Sequence, residues 1–245
     1  MEIRICKNSE QLGKSAAGYV AEALKACINE KGSARIVLST GASQFDTIKA
    51  LVNEKGIRWE CVEMFHLDEY ADLPVTHGAS FRKYLRERFV DKVGTLKAVH
   101  FVDGTKESIS KLTEEIRKEP VDIGLIGIGE NGHIAFNDPP ADFDTKEAYI
   151  IVNLDERCKK QQMGEGWFNT TDDVPKQAVS MTPYQIMQCR KIVSCVPYAV
   201  KAEAVENTVK AKKTTNLIPA TLLKEHSDFI LYLDEESAGG ILNME

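Results

Sequence analysis

The sequence predicts a single α/β domain with a mostly parallel sheet, and three features of its 245 residues support this. Short apolar runs alternate with helical patterns along the whole chain, which is typical of parallel strands joined by right-handed crossovers. The run at residues 123–128 is almost uniformly apolar, as expected of a strand that is covered on both faces. No linker rich in proline, glycine or serine interrupts the alternation, so we expect one domain over residues 1–245.

The elements follow from hydrophobic periodicity. Apolar runs predict strands at residues 2–6, 34–38, 62–67, 98–101, 123–128, 178–181, 191–196 and 229–233. Helical spacing predicts a helix that begins at the N-cap Ser9, one that carries Phe45, Ile48 and Leu51, and others at residues 79–90, 108–119, 182–187 and 200–209. We expect these helices to flank both faces of a Rossmann-like sheet. The polar stretch at residues 155–176 predicts an active-site loop or lid.

Composition and charge exclude several classes of protein. Hydrophobic residues make up 43% of the chain and charged residues 28%, so it can build a core without disulfides or structural metals. The net charge of −6 and the absence of a basic run disfavour a nucleic-acid partner. The six cysteines are scattered singly, and there is neither a signal peptide nor an uncharged apolar run of about 18 residues. We therefore expect a cytoplasmic protein without a membrane segment.

Polar clusters follow three of the predicted strands, where parallel sheets gather loops and helix N-termini around a ligand. The first cluster is the turn at residues 39–43, which reads S-T-G-A-S. Its small residues let backbone N–H groups approach an anion, and the following helix contributes the positive end of its dipole, so the turn suits a phosphate. Glycine and serine also occur in such turns for purely conformational reasons, and that alternative stays open.

The second cluster consists of two adjacent carboxylates, Asp68 and Glu69, directly after an apolar strand. Burial at such a position raises the pKa of a carboxyl toward the working pH, as a general base that removes a carbon-bound proton requires. The alternative is an acidic pair in the first turn of a helix, which is common where a strand leads into a helix.

The third cluster, at residues 127–139, places the imidazole of His133 in a glycine-rich turn. Either Asp138 or Asn131 would fix the tautomer and orientation of the ring, which leaves its other nitrogen free to pass a proton to a sugar ring oxygen. A single histidine after a strand is often structural. Three polar clusters at strand ends together favour an active site.

Over nearly its whole length the chain resembles the glucosamine-6-phosphate deaminases, members of a wider group that includes the 6-phosphogluconolactonases. The resemblance rests on five stretches: S-T-G-A-S at 39–43, L-D-E-Y-A-D-L-P at 67–74, G-I-G-E-N-G-H-I-A-F-N-D-P at 127–139, V-P-K-Q-A-V-S-M at 174–181 and K-A-E-A-V at 201–205. A lactonase of this group would be expected to show D-E-R and G-x-D-G-H-T-A-S-L-F, whereas this chain has D-E-Y and G-H-I-A-F-N.

The resemblance implies that an amino sugar 6-phosphate is opened, deprotonated at C2 and converted to a ketose 6-phosphate with loss of ammonia. It implies that Asp68 moves the proton between C2 and C1, and that His133, held by Asn131 and Asp138, assists ring opening. It also implies a phosphate site at the matching positions, which are Thr40, Gly41, Ala42, Ser43 and Lys201. Neither a metal nor an organic cofactor is expected, and a homo-oligomer is left open.

Two departures from the family pattern affect the expected site. Asp138 stands where many deaminases carry the longer glutamate, so we expect its contact with His133 to need a backbone shift or a water. The family also commonly supplies an arginine to the phosphate from R-x-A-N-x-R-[FY]-F, whereas residues 157–168 read R-C-K-K-Q-Q-M-G-E-G-W-F. Gly166 takes the place of the second arginine when the stretches are aligned on Trp167 and Phe168, so phosphate affinity, sugar epimer or lid behaviour is expected to differ.

The expected substrate is glucosamine-6-phosphate, with galactosamine-6-phosphate as the alternative because the sequence does not place the contacts that read C4. Hydrolysis of a sugar-phosphate lactone is a second enzymatic alternative, and a non-catalytic sugar-phosphate sensor is a third. A sensor needs the phosphate turn but neither a base nor a proton shuttle, so Asp68 and His133 together favour an enzyme.

Overall fold

The computed structural model describes residues 1–154, 156–164, 166 and 168–242, and within them ten strands form two sheets. The strands are β1 Glu2–Cys6, β2 Ala34–Leu38, β3 Val62–His66, β4 Asp68–Tyr70, β5 Ala98–His100, β6 Ile123–Leu125, β7 Tyr149–Asn153, β8 Gln177–Met181, β9 Lys191–Val196 and β10 Phe229–Asp234. Seven of them form the main sheet in the order β1-β10-β9-β6-β2-β3-β5, and every pair in it is parallel. The predicted α/β architecture is confirmed.

Helices cover both faces of the main sheet. They are α1 Ser9–Lys31, α2 Phe45–Leu51, α3 Phe81–Leu85, α4 Asp91–Val93, α5 Lys106–Arg117, α6 Glu156–Gly164, α7 Pro183–Ile186 and α8 Ala202–Lys210. Ile36 and Leu38 of β2 share a buried cluster with α1, α2 and α3, whereas Val37 shares the opposite cluster with α5, α7 and α8. Successive residues of a strand point to opposite faces, so β2 must be apolar throughout. Among the described helices, none has both the length and the apolarity to span a membrane.

Several predicted helix starts are wrong by one or two residues, and two of them show the reason. The cap of α1 is Asn8, whose side-chain oxygen accepts a hydrogen bond from the backbone of Gln11, rather than Ser9. The helix expected at residues 79–90 starts at Phe81, because the Ser80 side chain accepts from the backbone of Lys83 and caps it. That helix then widens into a π-helical turn over Arg86–Val90. In both cases a neighbouring polar side chain provides the cap.

A second, antiparallel sheet was not predicted. It has the order β4-β8-β7 and lies beyond the carboxyl end of β3, where the chain continues from the parallel sheet through Leu67 into β4. The run at residues 178–181 is a strand as expected, but it belongs to this sheet instead of the parallel one. The reason is that an apolar run identifies a strand without specifying its partner. Asp68 pairs with Ser180, so the acidic pair is strand and not the first turn of a helix.

The polar stretch at residues 155–176, predicted as an active-site loop or lid, contains regular helical structure and contributes Gln162 to the cleft, while its behaviour as a lid stays a prediction. It contains α6 and a short 3-10 helix over Thr171–Asp173, while Asp155, Glu165 and Trp167 lie outside the described residues. Cys158 and Gln162 are buried and lie four residues apart, so one narrow stripe of α6 faces inward. Two buried positions are too few to give a helical hydrophobic periodicity that can be recognised in a polar sequence.

Gly13 marks the closest approach of α1 to α2 and gives a test of the packing. A Cβ at this position would lie 2.6 Å from the carbonyl carbon of Asp46 and 2.8 Å from the backbone nitrogen of Thr47. Backbone atoms cannot rotate away, so we expect Gly13→Ala to lower the free energy of unfolding by about 2 kcal/mol in urea denaturation. Gly18→Ala on the same helix is the control, because nothing lies within 4 Å of its added Cβ. Similar midpoints for the two variants would contradict the predicted contact.

Candidate active site

An open cleft of about 810 Å³, including its mouth, lies at the carboxyl edge of the parallel sheet. Its walls come from the segments that follow β2, β3, β6 and β9, which is where ligands bind in open α/β sheets. The structure thereby brings together most of the predicted residues: Thr40, Gly41, Ala42, Ser43, Asp68, His133 and Lys201. Asn131 and Asp138 do not line the cleft. They contact each other and His133, which does line it.

The turn after β2 has the geometry of an anion site. Gly41 has φ +97°, in the left-handed region that favours glycine, and its carbonyl accepts a hydrogen bond of 3.2 Å from the Tyr84 hydroxyl. The chain then forms a 3-10 turn over Ala42–Gln44 and continues directly into α2. The first N–H groups of a helix have no partner within it, so those of Ala42 and Ser43 are available to an anion in the cleft, whereas the Gln44 N–H donates to the Gly41 carbonyl.

Lys201 reaches the cleft from a strained turn after β9. Tyr198 has φ +80°, an uncommon conformation for a residue with a side chain, and the 3-10 helix Ala199–Lys201 follows it. The buried carboxylate of Asp234 holds this turn by accepting from the Tyr198 N–H at 3.1 and 3.0 Å and from the Ser237 N–H at 2.8 Å. Such strain persists only where surrounding contacts fix it, so Asp234 positions the segment that carries Lys201.

Asp68 has the environment of a base. Burial, and secondly the charge of Glu69, raise the pKa of the Asp68 carboxyl from 3.8 to about 8. The two side chains point to opposite faces of β4, and Glu69 is completely buried. Glu69 accepts hydrogen bonds from the Ser80 hydroxyl and from the backbone of Phe81 and Arg82. It therefore fixes the start of α3 next to the cleft.

His133, Asn131 and Asp138 form one connected group. Nδ1 of His133 lies 3.1 Å from a carboxylate oxygen of Asp138, so the contact is direct and the expected bridging water is not needed, while the alternative of a backbone shift stays a prediction. The ring N–H is not aligned well enough with this oxygen to form a hydrogen bond, so the two groups meet as a close polar contact. Asn131 connects the two residues, since its amide donates to Asp138 at 2.9 Å and its oxygen accepts from the His133 backbone at 3.0 Å.

The Asp138 carboxyl is ionised across the useful pH range. Burial opposes its charge, but contact with His133 and hydrogen bonds from Asn131 and Cys158 outweigh this effect and lower its pKa to about 2. A carboxylate beside one nitrogen of an imidazole favours the tautomer that carries the proton on that nitrogen. The arrangement leaves Nε2 of His133 as the ring nitrogen that does not face Asp138.

The small antiparallel sheet holds the base and the histidine turn together. Ser180, opposite Asp68, accepts hydrogen bonds from the backbone of Phe136 at 3.0 Å and from the Asn137 amide at 3.3 Å. Asn137 also donates to the carbonyl of Met181 at 2.8 Å. One strand, β8, therefore fixes the position of both clusters.

Sequence reasoning missed several side chains of the cleft wall, which are Phe81, Glu130, Phe136, Gln162 and Tyr198. Glu130 and Phe136 lie inside the motif at residues 127–139, so proximity to His133 was a usable signal. Gln162 gave no signal, because its place in the cleft depends on α6. The side chain of Arg157 and the whole of Trp167 lie outside the described residues. The expectations that rest on aligning residues 157–168 with the family stretch therefore stay predictions.

A cluster of metal-binding residue types lies outside the cleft. Glu63, His100 and Glu115 each offer one ligand atom, and these atoms lie within 4.8 Å of one another. Both carboxylates already have cationic partners, however, with Arg35 2.8 Å from Glu63 and Lys118 2.7 Å from Glu115. These ion pairs compete with a metal, and none of the cluster lines the cleft.

The fold and the cleft together define an α/β protein with a glycine-containing turn before a helix and a buried carboxyl, both at the carboxyl edge of its sheet. Residues 7–231 match the family of glucosamine-6-phosphate isomerases and 6-phosphogluconolactonases, and the chain belongs to this family.

Individual relatives agree with this assignment. The chain is 34% identical to a glucosamine-6-phosphate deaminase of Thermoanaerobacter sp. (strain X514), with 97% of this chain and 94% of the relative covered. It is 32% identical to one from Staphylococcus epidermidis, with 91% and 94% covered. A solved monomeric glucosamine-6-phosphate deaminase superposes with a TM-score of 0.87 at 26% identity, over 98% of this chain and all of that one. A 6-phosphogluconolactonase from Shewanella baltica shares the fold at 16% identity, with a TM-score of 0.78 and coverages of 96% and 97%.

The raised pKa of Asp68 predicts how stability varies with pH. The folded carboxyl titrates at about 8 and the unfolded one near 3.8, so between these values the folded state binds more protons and loses stability as pH rises. Asp68→Asn cannot ionise, and we expect it to exceed the wild type in free energy of unfolding by at least about 1 kcal/mol at pH 8. The difference should shrink toward pH 4 in urea denaturation. Asp144→Asn, an exposed control, should show no such trend; a parallel trend in both variants would refute this account.

Proposed function

We propose that the protein converts glucosamine-6-phosphate to fructose-6-phosphate and ammonia. The observation that carries the proposal is a single cleft shared by a buried carboxyl of raised pKa, an imidazole with a carboxylate behind it, and an anion-binding turn. A deaminating isomerase needs these three groups: a base for a carbon-bound proton, an acid–base group for the ring oxygen, and a site for the phosphate.

In this proposal the phosphate lies against the turn formed by Thr40, Gly41, Ala42 and Ser43. Lys201 supplies the counter-charge from the other side of the cleft, as a compact ammonium that suits a phosphate. With the phosphate held there, the reacting carbons of the sugar extend toward Asp68 and His133. The orientation makes the proton transfer effectively intramolecular.

His133 opens the ring. Its Nε2 moves the proton of the C1 hydroxyl to the ring oxygen, which breaks the C1–O5 bond and leaves an aldehyde at C1. Asp138 and Asn131 orient the imidazole and do not touch the sugar. The buried carboxylate of Asp138 also stabilises the ring whenever it carries a second proton.

Asp68 then performs the isomerisation. It removes the proton from C2 and returns it to C1, while a proton moves from the amine to the former aldehyde oxygen. The result is a hydroxyl at C1 and an imine at C2, which water hydrolyses to a ketone and ammonia. A carboxyl that titrates near pH 8 is a far stronger base than an ordinary aspartate, so it suits the weakly acidic C2 proton.

The remaining expectations belong to the same proposal. We infer a cytoplasmic enzyme of one domain over residues 1–245 that requires no metal and no organic cofactor and has no nucleic-acid partner. Glucosamine-6-phosphate is proposed ahead of its C4 epimer, because the relatives of known sequence are named for glucosamine-6-phosphate.

Ammonia release from glucosamine-6-phosphate and from galactosamine-6-phosphate tests this function. We expect release from the first sugar, and a loss of about 10³-fold or more in kcat for Asp68→Asn. In the wild type kcat/KM should rise as pH approaches about 8, because the free enzyme then carries more of the ionised base.

Other outcomes would replace the proposal. Ammonia from galactosamine-6-phosphate alone would reverse the epimer, and activity only on 6-phosphogluconolactone would make the protein a lactonase. Sugar-phosphate binding without any turnover would make it a sensor. Asp144→Asn again serves as the matched control.

The Asp234 contact predicts an effect on phosphate affinity. In Asp234→Asn an amide NH₂ replaces one of the two carboxylate oxygens that accept from the Tyr198 N–H, so a donor faces a donor. The strained turn at Tyr198 should then relax and displace Lys201. We expect inorganic phosphate to bind about tenfold more weakly by isothermal titration calorimetry. Glu235→Gln removes the same charge from the adjacent exposed residue and should bind phosphate normally. Equal affinities in the two variants would contradict the role given to Asp234.

A further inference from the structure

Gln162 of α6 is a polar side chain of the cleft that the proposed mechanism does not use. It lines the cleft although only 5% of the residue is exposed. Its Oε1 accepts a hydrogen bond from the Tyr70 hydroxyl. Among the described residues no group pairs with its Nε2, and this atom is not enclosed by protein, so it is accessible from the cleft that the residue lines. A side-chain amide has two N–H donors on this atom.

The tyrosine that holds this amide is rigidly placed. Tyr70 is fully buried, and its ring packs against the rings of Phe81, Phe136 and Phe168 at centroid distances of 5.0, 5.2 and 5.5 Å. It follows Asp68 by two residues on β4, so both side chains leave the same face of that strand. The amide of Gln162 is thus anchored to the strand that carries the base.

The chemistry of this group favours a sugar hydroxyl over the phosphate. The phosphate already has a cation in Lys201 and the backbone N–H groups that follow Gly41, whereas a neutral amide adds no charge. Fixed amide donors are typical of sites that recognise hydroxyl groups, because an oriented donor forms a good hydrogen bond with an oxygen in only one position. Its anchor, Tyr70, also lies on the strand that carries Asp68.

We propose that Gln162 is a specificity residue that donates from Nε2 to a hydroxyl group of the bound sugar, with Tyr70 fixing the orientation of the amide. The inference rests on the proposed function, because it takes a sugar phosphate as the ligand. It assigns to α6 a contact with a hydroxyl group of the sugar. The phosphate contact that the family commonly makes from this region is not expected, because residues 157–168 lack the second arginine.

Binding to catalytically silenced protein tests the inference without turnover. Glucosamine-6-phosphate and inorganic phosphate are titrated calorimetrically into Asp68→Asn and into the double variant that also carries Gln162→Met. Methionine keeps the length and helix propensity of glutamine but has no donor. We expect the Kd for the sugar phosphate to rise about five- to tenfold and the Kd for inorganic phosphate to change less than about twofold. Tyr70→Phe in the same background should give a smaller rise, because it frees the amide without removing it.

Met163→Ala, the adjacent exposed position of α6, is the control and should leave both dissociation constants unchanged. Unchanged sugar binding in the Gln162 variant, an equal loss for both ligands, or no sugar-phosphate binding at all would overturn the inference. Ammonia assays on the wild-type protein separate the two proposals. If the wild type releases no ammonia while the Gln162 variant still weakens sugar binding selectively, the proposed function fails and the inference stands.

Discussion

The pairing of β4 with β8 is the constraint on which the site depends. The parallel sheet ends at His66, and the chain would leave it as a loop if Asp68 did not pair with Ser180. The same serine accepts the backbone N–H of Phe136, so the turn that carries His133 is tied to the strand that carries the base. Loops alone would not hold two reacting groups to the precision that proton transfer needs.

Glu69 shows how the same strand determines both geometry and charge. Its carboxylate is buried and satisfied by the start of α3 and by Arg82, which lies 3.2 Å away. On the opposite face of β4, its charge adds to the effect of burial on the pKa of Asp68. Burial first and the charge of Glu69 second therefore keep the pKa of the Asp68 carboxyl at about 8, at a cost in stability above the pKa of an ordinary aspartate.

The parallel sheet could be predicted from sequence because its central strands, β10, β9, β6 and β2, are covered on both faces and must be apolar almost throughout. The phosphate turn, Asp68 and His133 could be predicted because they directly follow such strands. β7 and the pairing of β8 could not be predicted. A short half-buried strand such as β7 has too few residues for a clear hydrophobic periodicity, and an apolar run does not specify which strand it pairs with. Gln162 could not be predicted either, because its position in the cleft depends on how α6 packs on Tyr70 and not on any local sequence pattern.

The short acid at position 138 reaches His133 because the tight turn over residues 129–133 fixes the position of the imidazole. A Cβ on Gly129 would lie 2.2 Å from Cε1 and Nε2 of the imidazole, so only glycine lets the ring settle against this backbone. The Gly129 N–H donates to the His133 carbonyl at 2.9 Å and keeps the turn closed. With the ring so placed, the Asp138 carboxylate lies at contact distance without the additional methylene of glutamate. The short side chain at position 138 and the tight turn at Gly129 therefore depend on each other. A longer side chain at 138 would fit only if the imidazole ring lay in a different position.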